Sequence, residues 1–122
     1  MKEHWMADPE EHDYPAAGDY LTLVLPKAEA TKRVEELRRA PVELRKAKDL
    51  LRASRLKPLG KDNFHVAKDL DKVKSGKKLS PVLIVRGDIA HGAPMIIADG
   101  YHRICASYLI DENADIPCRI AG

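Results

Sequence analysis

The chain divides by the period of its apolar positions. Ala17, Tyr20, Leu21, Val24 and Leu25 recur at helical offsets and form one apolar face. Asp13-Tyr14-Pro15 can start that helix, because proline is tolerated in a first turn, and Pro26 ends it. Gly18 weakens it by up to about 1 kcal/mol. Ala30, Val34 and Leu37 predict a second helix that closes near Pro41. Pro41 also suits the first position of a third helix, with Leu44, Ala47, Leu50 and Leu51 as its apolar face. Glu35 with Arg39, and Glu43 with Lys46, are then spaced to pair across a turn. Lys57-Pro58-Leu59-Gly60 breaks the pattern. Val66, Leu70 and Val73 mark a short helix that Gly76 stops.

After Gly76 the period changes. Val82-Leu83-Ile84-Val85 is a continuous apolar run, as expected of a strand buried on both faces. Gly87-Asp88 and Gly92 mark a hairpin-like loop, and Met95-Ile96-Ile97-Ala98 is a second such strand. Asp99-Gly100 is a turn, and His102 to Ile110 reads as a helix. Asp111 to Asp115 is a polar loop, and Ile116 to Ile120 is a last strand. Pro117 within it argues for an edge or strand-start position. The final strand–helix–strand unit is expected to cross over right-handed. The fold class expected is α/β (α+β): a small mixed sheet with packed helices and an N-terminal helical layer. Residues 1–12 are expected to be frayed, and 13–122 to form one domain, with 13–63 a helical cap and 64–122 the core.

Length and composition agree with this reading. At 122 residues the chain is one domain by size, and 44% hydrophobic with 33% charged residues is ordinary globular material. No apolar run approaches the ~20 residues of a membrane span. No apolar signal core follows the N-terminus, so the expectation is a bacterial-type cytoplasmic protein. Cys105 and Cys118 are too few for a disulfide scaffold and read as buried thiols. The net charge of +2 conceals an asymmetry. Residues 1–26 hold one basic and six acidic side chains, 27–61 hold twelve and five, and 62–122 hold eight of each. The basic middle segment, with Arg45, Lys48 and Arg52 on its third helix, can attract a polyanion. Read structurally, it is a solvated face with internal ion pairs.

The chemistry is concentrated in Asp99-Gly100-Tyr101-His102-Arg103, between a buried strand and a helix. A helix start leaves N–H groups unpaired and carries partial positive charge. Gly100 lets backbone approach a ligand, and His102 and Arg103 add donors in the first turn. Such a site suits a phosphate. Asp99 can cap the helix or hold a metal ion that bridges phosphates. An Asp-Gly turn before a helix is equally common as a plain turn and cap. His102 and Cys105 have metal-ligand spacing but no third partner, so no zinc site is expected.

These residues resemble the ParB/sulfiredoxin superfamily. The likeness runs through Phe64-His65-Val66-Ala67-Lys68-Asp69-Leu70, Leu79-Ser80-Pro81-Val82-Leu83-Ile84-Val85-Arg86 and Ile97-Ala98-Asp99-Gly100-Tyr101-His102-Arg103. It closes with Ala114-Asp115-Ile116-Pro117-Cys118-Arg119-Ile120, and it covers about half the chain. ParB proteins have a Gly-Glu-Arg-Arg turn before a helix and an Ile-Pro strand; sulfiredoxins have Gly-Gly-Cys-His-Arg. The resemblance implies a pocket for the phosphates of ATP or CTP, carried with Mg²⁺ and built by Gly100, Tyr101, His102 and Arg103. It places Lys68 near a phosphate-contacting basic residue. His65 lies near the glutamine of the ParB Gln-Pro-Arg segment and departs from it. The sulfiredoxin nucleophile falls at Tyr101, where a phenol cannot replace a thiolate, so sulfinic-acid repair is not expected. Cys105, one turn on, reads as core.

Gly122 directly follows the last strand, with no helix-turn-helix after it, and the expectation is a stand-alone member. The leading reading is nucleotide binding with phosphotransfer or nucleotide hydrolysis, as some members of the superfamily phosphorylate small molecules such as serine. Asp99 and Asp69 are the candidate catalytic carboxylates. A nucleic-acid-binding or nuclease-like module on Arg45, Lys48 and Arg52 is the alternative. It lacks aromatic residues among the basic helices to stack bases. A non-enzymatic partner-binding protein with a vestigial pocket is the third. The oligomeric state is left open.

Overall fold

The computed structural model describes all residues, Met1–Gly122. The elements in chain order are β1 (His4–Trp5), α1 (Asp13–Leu21), α2 (Lys27–Arg39), β2 (Glu43–Lys46), α3 (Ala47–Ser54) and α4 (Phe64–Lys74). They continue with β3 (Lys78–Leu79), β4 (Val82–Val85), a 3₁₀ turn (Ile89–His91), β5 (Ile96–Asp99), α5 (Tyr101–Ile110) and β6 (Asp115–Ala121). This is a mixed α+β fold. Its main sheet has the order β2-β6-β4-β5, and a two-stranded ribbon pairs β1 with β3. No helix is long and apolar enough to cross a membrane.

The buried run of β4 organises the core. Successive side chains of a strand face opposite sides of a sheet. Val82 and Ile84 therefore join Leu50, Leu51, Val66, Ile104 and Cys118 under α3, α4 and α5. Leu83 and Val85 join Tyr14, Ala17, Leu21 and Leu37 under α1 and α2. All four β4 residues are buried, as the continuous apolar pattern requires.

Several expectations need correction. The third helix does not begin at Pro41. Glu43–Lys46 is an edge strand, antiparallel to β6 with Glu43 opposite Cys118, and α3 starts only at Ala47. Glu43 therefore ion-pairs along the strand with Arg45 at 2.5 Å, while Lys46 lies 3.6 Å from Asp115. The expected cap over 13–63 is not one layer, because α1–α2 and α3 lie on opposite faces of the sheet. Nor are residues 1–12 frayed: Met6 N–H donates to the Leu79 carbonyl at 2.8 Å beside the β1–β3 pairing.

Strand β6 is central rather than an edge. Pro117 is tolerated because pairing with β4 begins one residue later, at Cys118 opposite Val82. Because β4 is parallel to β6 and antiparallel to β5, the β5–α5–β6 unit joins two antiparallel strands, and the right-handed parallel crossover does not arise. Helix α1 stops at Leu21, short of Val24, and both Tyr20 and Val24 of the expected apolar face are exposed.

Candidate functional site

Helix α5 follows β5 with a single residue, Gly100, between them. Gly100 has φ +107° and no side chain caps the helix, so the first-turn N–H groups keep their partial positive charge for a ligand. A cleft of about 400 Å³ opens at this end of α5.

Three walls meet there. The floor is an ionic network around Arg103, whose side chain is only 14% exposed. Its Nη2 donates to Asp99 Oδ2 at 2.6 Å and its Nη1 to the Ser80 carbonyl at 2.8 Å. Asp13 Oδ2 lies 3.8 Å from Nη1 and accepts from the Ser80 hydroxyl and, at 3.0 Å, from the Glu10 N–H. Asp99 does not cap α5; it holds Arg103. Burial pushes the Asp99 carboxyl above the usual range, Arg103 opposes that shift, and Asp13 adds to it. With two of its donors tied down, Arg103 keeps further N–H groups at the cleft it lines.

The second wall is α4. His65, Lys68, Asp69 and Lys72 follow helical spacing and share the face that lines the cleft. Asn63 positions this face by capping α4, its Oδ1 accepting from the N–H groups of His65 and Val66 at 3.0 and 3.2 Å. Asp69 is 8% exposed. No hydrogen bond or ion pair of the chain engages its carboxylate. Burial raises its pKa, against the pull of Lys72, Arg103, His102 and His65. The third wall comes from the N-terminal segment and the start of α1, through Glu10, His12 and Ala16, with Lys78 at the rim.

Seven of the residues singled out from the sequence thus meet in one cleft: His65, Lys68, Asp69, Asp99, Gly100, His102 and Arg103. Tyr101 does not line it. Its hydroxyl donates to the Lys57 carbonyl and its ring packs on the core. Cys105 is fully buried, accepts from the Leu59 N–H at 3.4 Å, and has its thiol pKa raised by burial. Burial pushes the Cys118 thiol further, up to about 12. Arg45, Lys48 and Arg52 form no continuous helical face: Arg45 is on the edge strand against Glu43, and Arg52 lies 3.5 Å from Asp49 on α3. The cleft residues missed in the sequence are Glu10, His12, Asp13, Lys72, Lys78 and Ser80. Lys72, one helical turn beyond Lys68, carried a readable signal. The others reach the site only through pairing of distant segments.

The donor set does not fit a resident metal. No three His, Cys, Asp or Glu side chains converge to hold one, and Asp99 is engaged by Arg103.

The histidines supply a direct check on this geometry. Burial, with His65 and Arg103 nearby, holds the His102 imidazole below its ordinary value, while Asp69 acts in the opposite direction. In an NMR titration His102 should therefore have a midpoint below the usual ~6.5. His65→Gln should raise that midpoint, and Asp69→Asn should lower it further. Reversal of either sign would contradict the grouping of these three side chains.

No known protein family matches the chain, and no curated protein or solved structure matches it.

Proposed function

We propose that the α5 cleft binds the phosphates of a nucleoside triphosphate such as ATP or CTP, and that Asp69 activates an acceptor for phosphoryl transfer, to water or to a small hydroxyl compound. The observation that carries this reading is the pairing of opposites across one cleft. An uncapped helix start with a pre-positioned arginine faces a partly desolvated carboxylate that no side chain or N–H of the protein engages. Phosphates suit the first, because N–H groups and a guanidinium fork match their oxygens. A general base suits the second, because burial has already moved its pKa toward the working range.

In the reaction the Asp69 carboxylate takes the proton of the acceptor hydroxyl. A bond forms between that oxygen and the terminal phosphorus, and the bond from phosphorus to the bridging oxygen breaks, releasing nucleoside diphosphate. Arg103, Lys68 and the α5 N–H groups face the charge on the transferred group. Asp99, neutralised by Arg103, positions the guanidinium and takes no proton. The ParB/sulfiredoxin resemblance of the Gly100–Arg103 turn supports the same use of this helix start.

A thermal-shift panel of ATP, CTP, GTP and ADP with Mg²⁺ tests binding. Ligand at about 100 times its dissociation constant adds ~2.7 kcal/mol of stability, a rise of roughly 10 °C for a domain of this size. Asp69→Asn should keep that shift and lose turnover about 10²–10⁴-fold. Turnover by the unaltered protein should rise with pH as Asp69 ionises, with its midpoint above the ordinary carboxylate value of ~3.9. Full turnover in Asp69→Asn would remove the residue from the chemistry.

A further inference from the structure

Aromatic residues make up only 5% of the sequence, yet the ring-to-ring contacts of the protein form a single row at the cleft. Phe64 meets His65 edge-on at 5.5 Å, His65 lies 4.7 Å from His102 with the rings tilted by 38°, and Tyr101 continues the row 5.6 Å from His102. The two imidazoles line the cleft. Phe64 stands at the outer end of the row, 73% exposed. It is the first residue of α4, and the Asn63 cap ties that helix start down, so the ring is carried on a fixed turn. A singly exposed phenylalanine needs no explanation. Its continuity with two imidazoles already at the phosphate cleft does.

Ala16 and Leu79 are the only apolar residues lining the cleft, beside His12, His65, His102, Ser80, Gly100 and eight charged side chains. A base attached to phosphates held at α5 finds its aromatic surface where the row of rings runs out of this polar lining, toward Phe64. From this row of rings, we infer that the nucleobase of the bound nucleotide stacks on Phe64, with His65 joining the ring to the phosphate site. This rests on the reading of the cleft as a triphosphate site. Such stacking tolerates any base, because every base has a π-face. It makes Phe64 a residue that selects nucleotides over inorganic polyphosphates, without choosing strongly among nucleotides.

The test compares two probes on the whole chain: a nucleoside triphosphate (ATP and CTP separately) and inorganic tripolyphosphate, each with Mg²⁺ in a binding titration. Phe64→Ala should weaken ATP and CTP binding about 5- to 150-fold, the range that loss of one base–aromatic stack represents. It should leave tripolyphosphate affinity within about 2-fold, since the phosphate contacts are untouched. Phe64→Trp should restore nucleotide binding. Because the ring is exposed, the variants should melt with the unaltered protein. Equal loss of both probes in Phe64→Ala, or no loss for either nucleotide, overturns the stacking site while leaving the phosphate site standing. Failure of the unaltered protein to bind either probe overturns the phosphate site, and the stacking site with it.

Discussion

Gly100→Ala should destabilise the protein by about 2–6 kcal/mol, combining roughly 1–3 from a backbone conformation that side chains avoid with 1–3 from overpacking. The backbone there has φ +107°, and a Cβ would lie 2.5 Å from Val82 Cγ1 and 2.9 Å from Arg103 Nη2. Val82 cannot give way, because it is fully buried between β4's neighbours and the α3–α5 layer. Arg103 can move only by leaving Asp99 and the Ser80 carbonyl. A fall in melting temperature of about 10 °C or more should follow, together with loss of ligand-induced stabilisation, since the same glycine sets the start of α5. A melt within a degree or two of the unaltered protein would show that the turn does not need glycine.

Arg103→Ala should produce two separable losses. The first is in the apo protein. Removing the guanidinium leaves Asp99 as a largely buried carboxylate without its partner and the Ser80 carbonyl without its donor. Breaking a fully buried pair costs ~3–5 kcal/mol, and the remaining solvent access of these two side chains reduces that to about 2–4. The second is in binding. The charge-assisted hydrogen bonds that the free N–H groups offer a phosphate are worth ~1.5–3 kcal/mol, or roughly 10- to 150-fold in affinity. Arg103→Lys should recover part of each, because an ammonium keeps the charge and loses the fork. The double variant Arg103→Ala with Asp99→Asn separates the two effects. It should regain stability, because no unpaired carboxylate is left behind, and it should not regain phosphate affinity. A melt coupled to a tripolyphosphate titration measures both. Unchanged affinity alongside lower stability would make Arg103 a tie between the β3–β4 link, β5 and α5 and nothing more.

The difference between what was legible and what was not is clearest at four places. Val82-Leu83-Ile84-Val85 announced a strand with two covered faces, and both faces are covered, because an uninterrupted apolar run has no polar side to give to water. Glu43-Leu44-Arg45-Lys46 read as helix, because its residues favour helices and its charges fit a helical pairing. The strand wins because β6 offers it an antiparallel ladder from Lys46–Asp115 to Glu43–Cys118, a partner about seventy residues away that local pattern does not contain. The turn at Gly100 was legible because glycine, histidine and arginine at a strand–helix junction are a local arrangement. Asp69 lay on a helix face beside Lys68 and Lys72 like any solvated carboxylate. Only packing of α4 against α5 made it buried and unpaired.

The sequence by itself determined the period of the long helical and strand runs outside residues 41–46, the position of the glycine turn between β5 and α5, and the helix stop at Gly76. These are set by residues a few positions apart, through side-chain spacing and backbone freedom. Tertiary structure alone decided which helices cover which face of the sheet and that residues 43–46 join it. It also brought the N-terminal segment to the cleft, where Glu10 and Asp13 meet Ser80, with Asp13 and Ser80 separated by 67 residues. Those outcomes depend on burying both faces of β4 at once and on satisfying the backbone groups of β6 from both sides. They are properties of the assembled sheet that no short stretch of sequence carries.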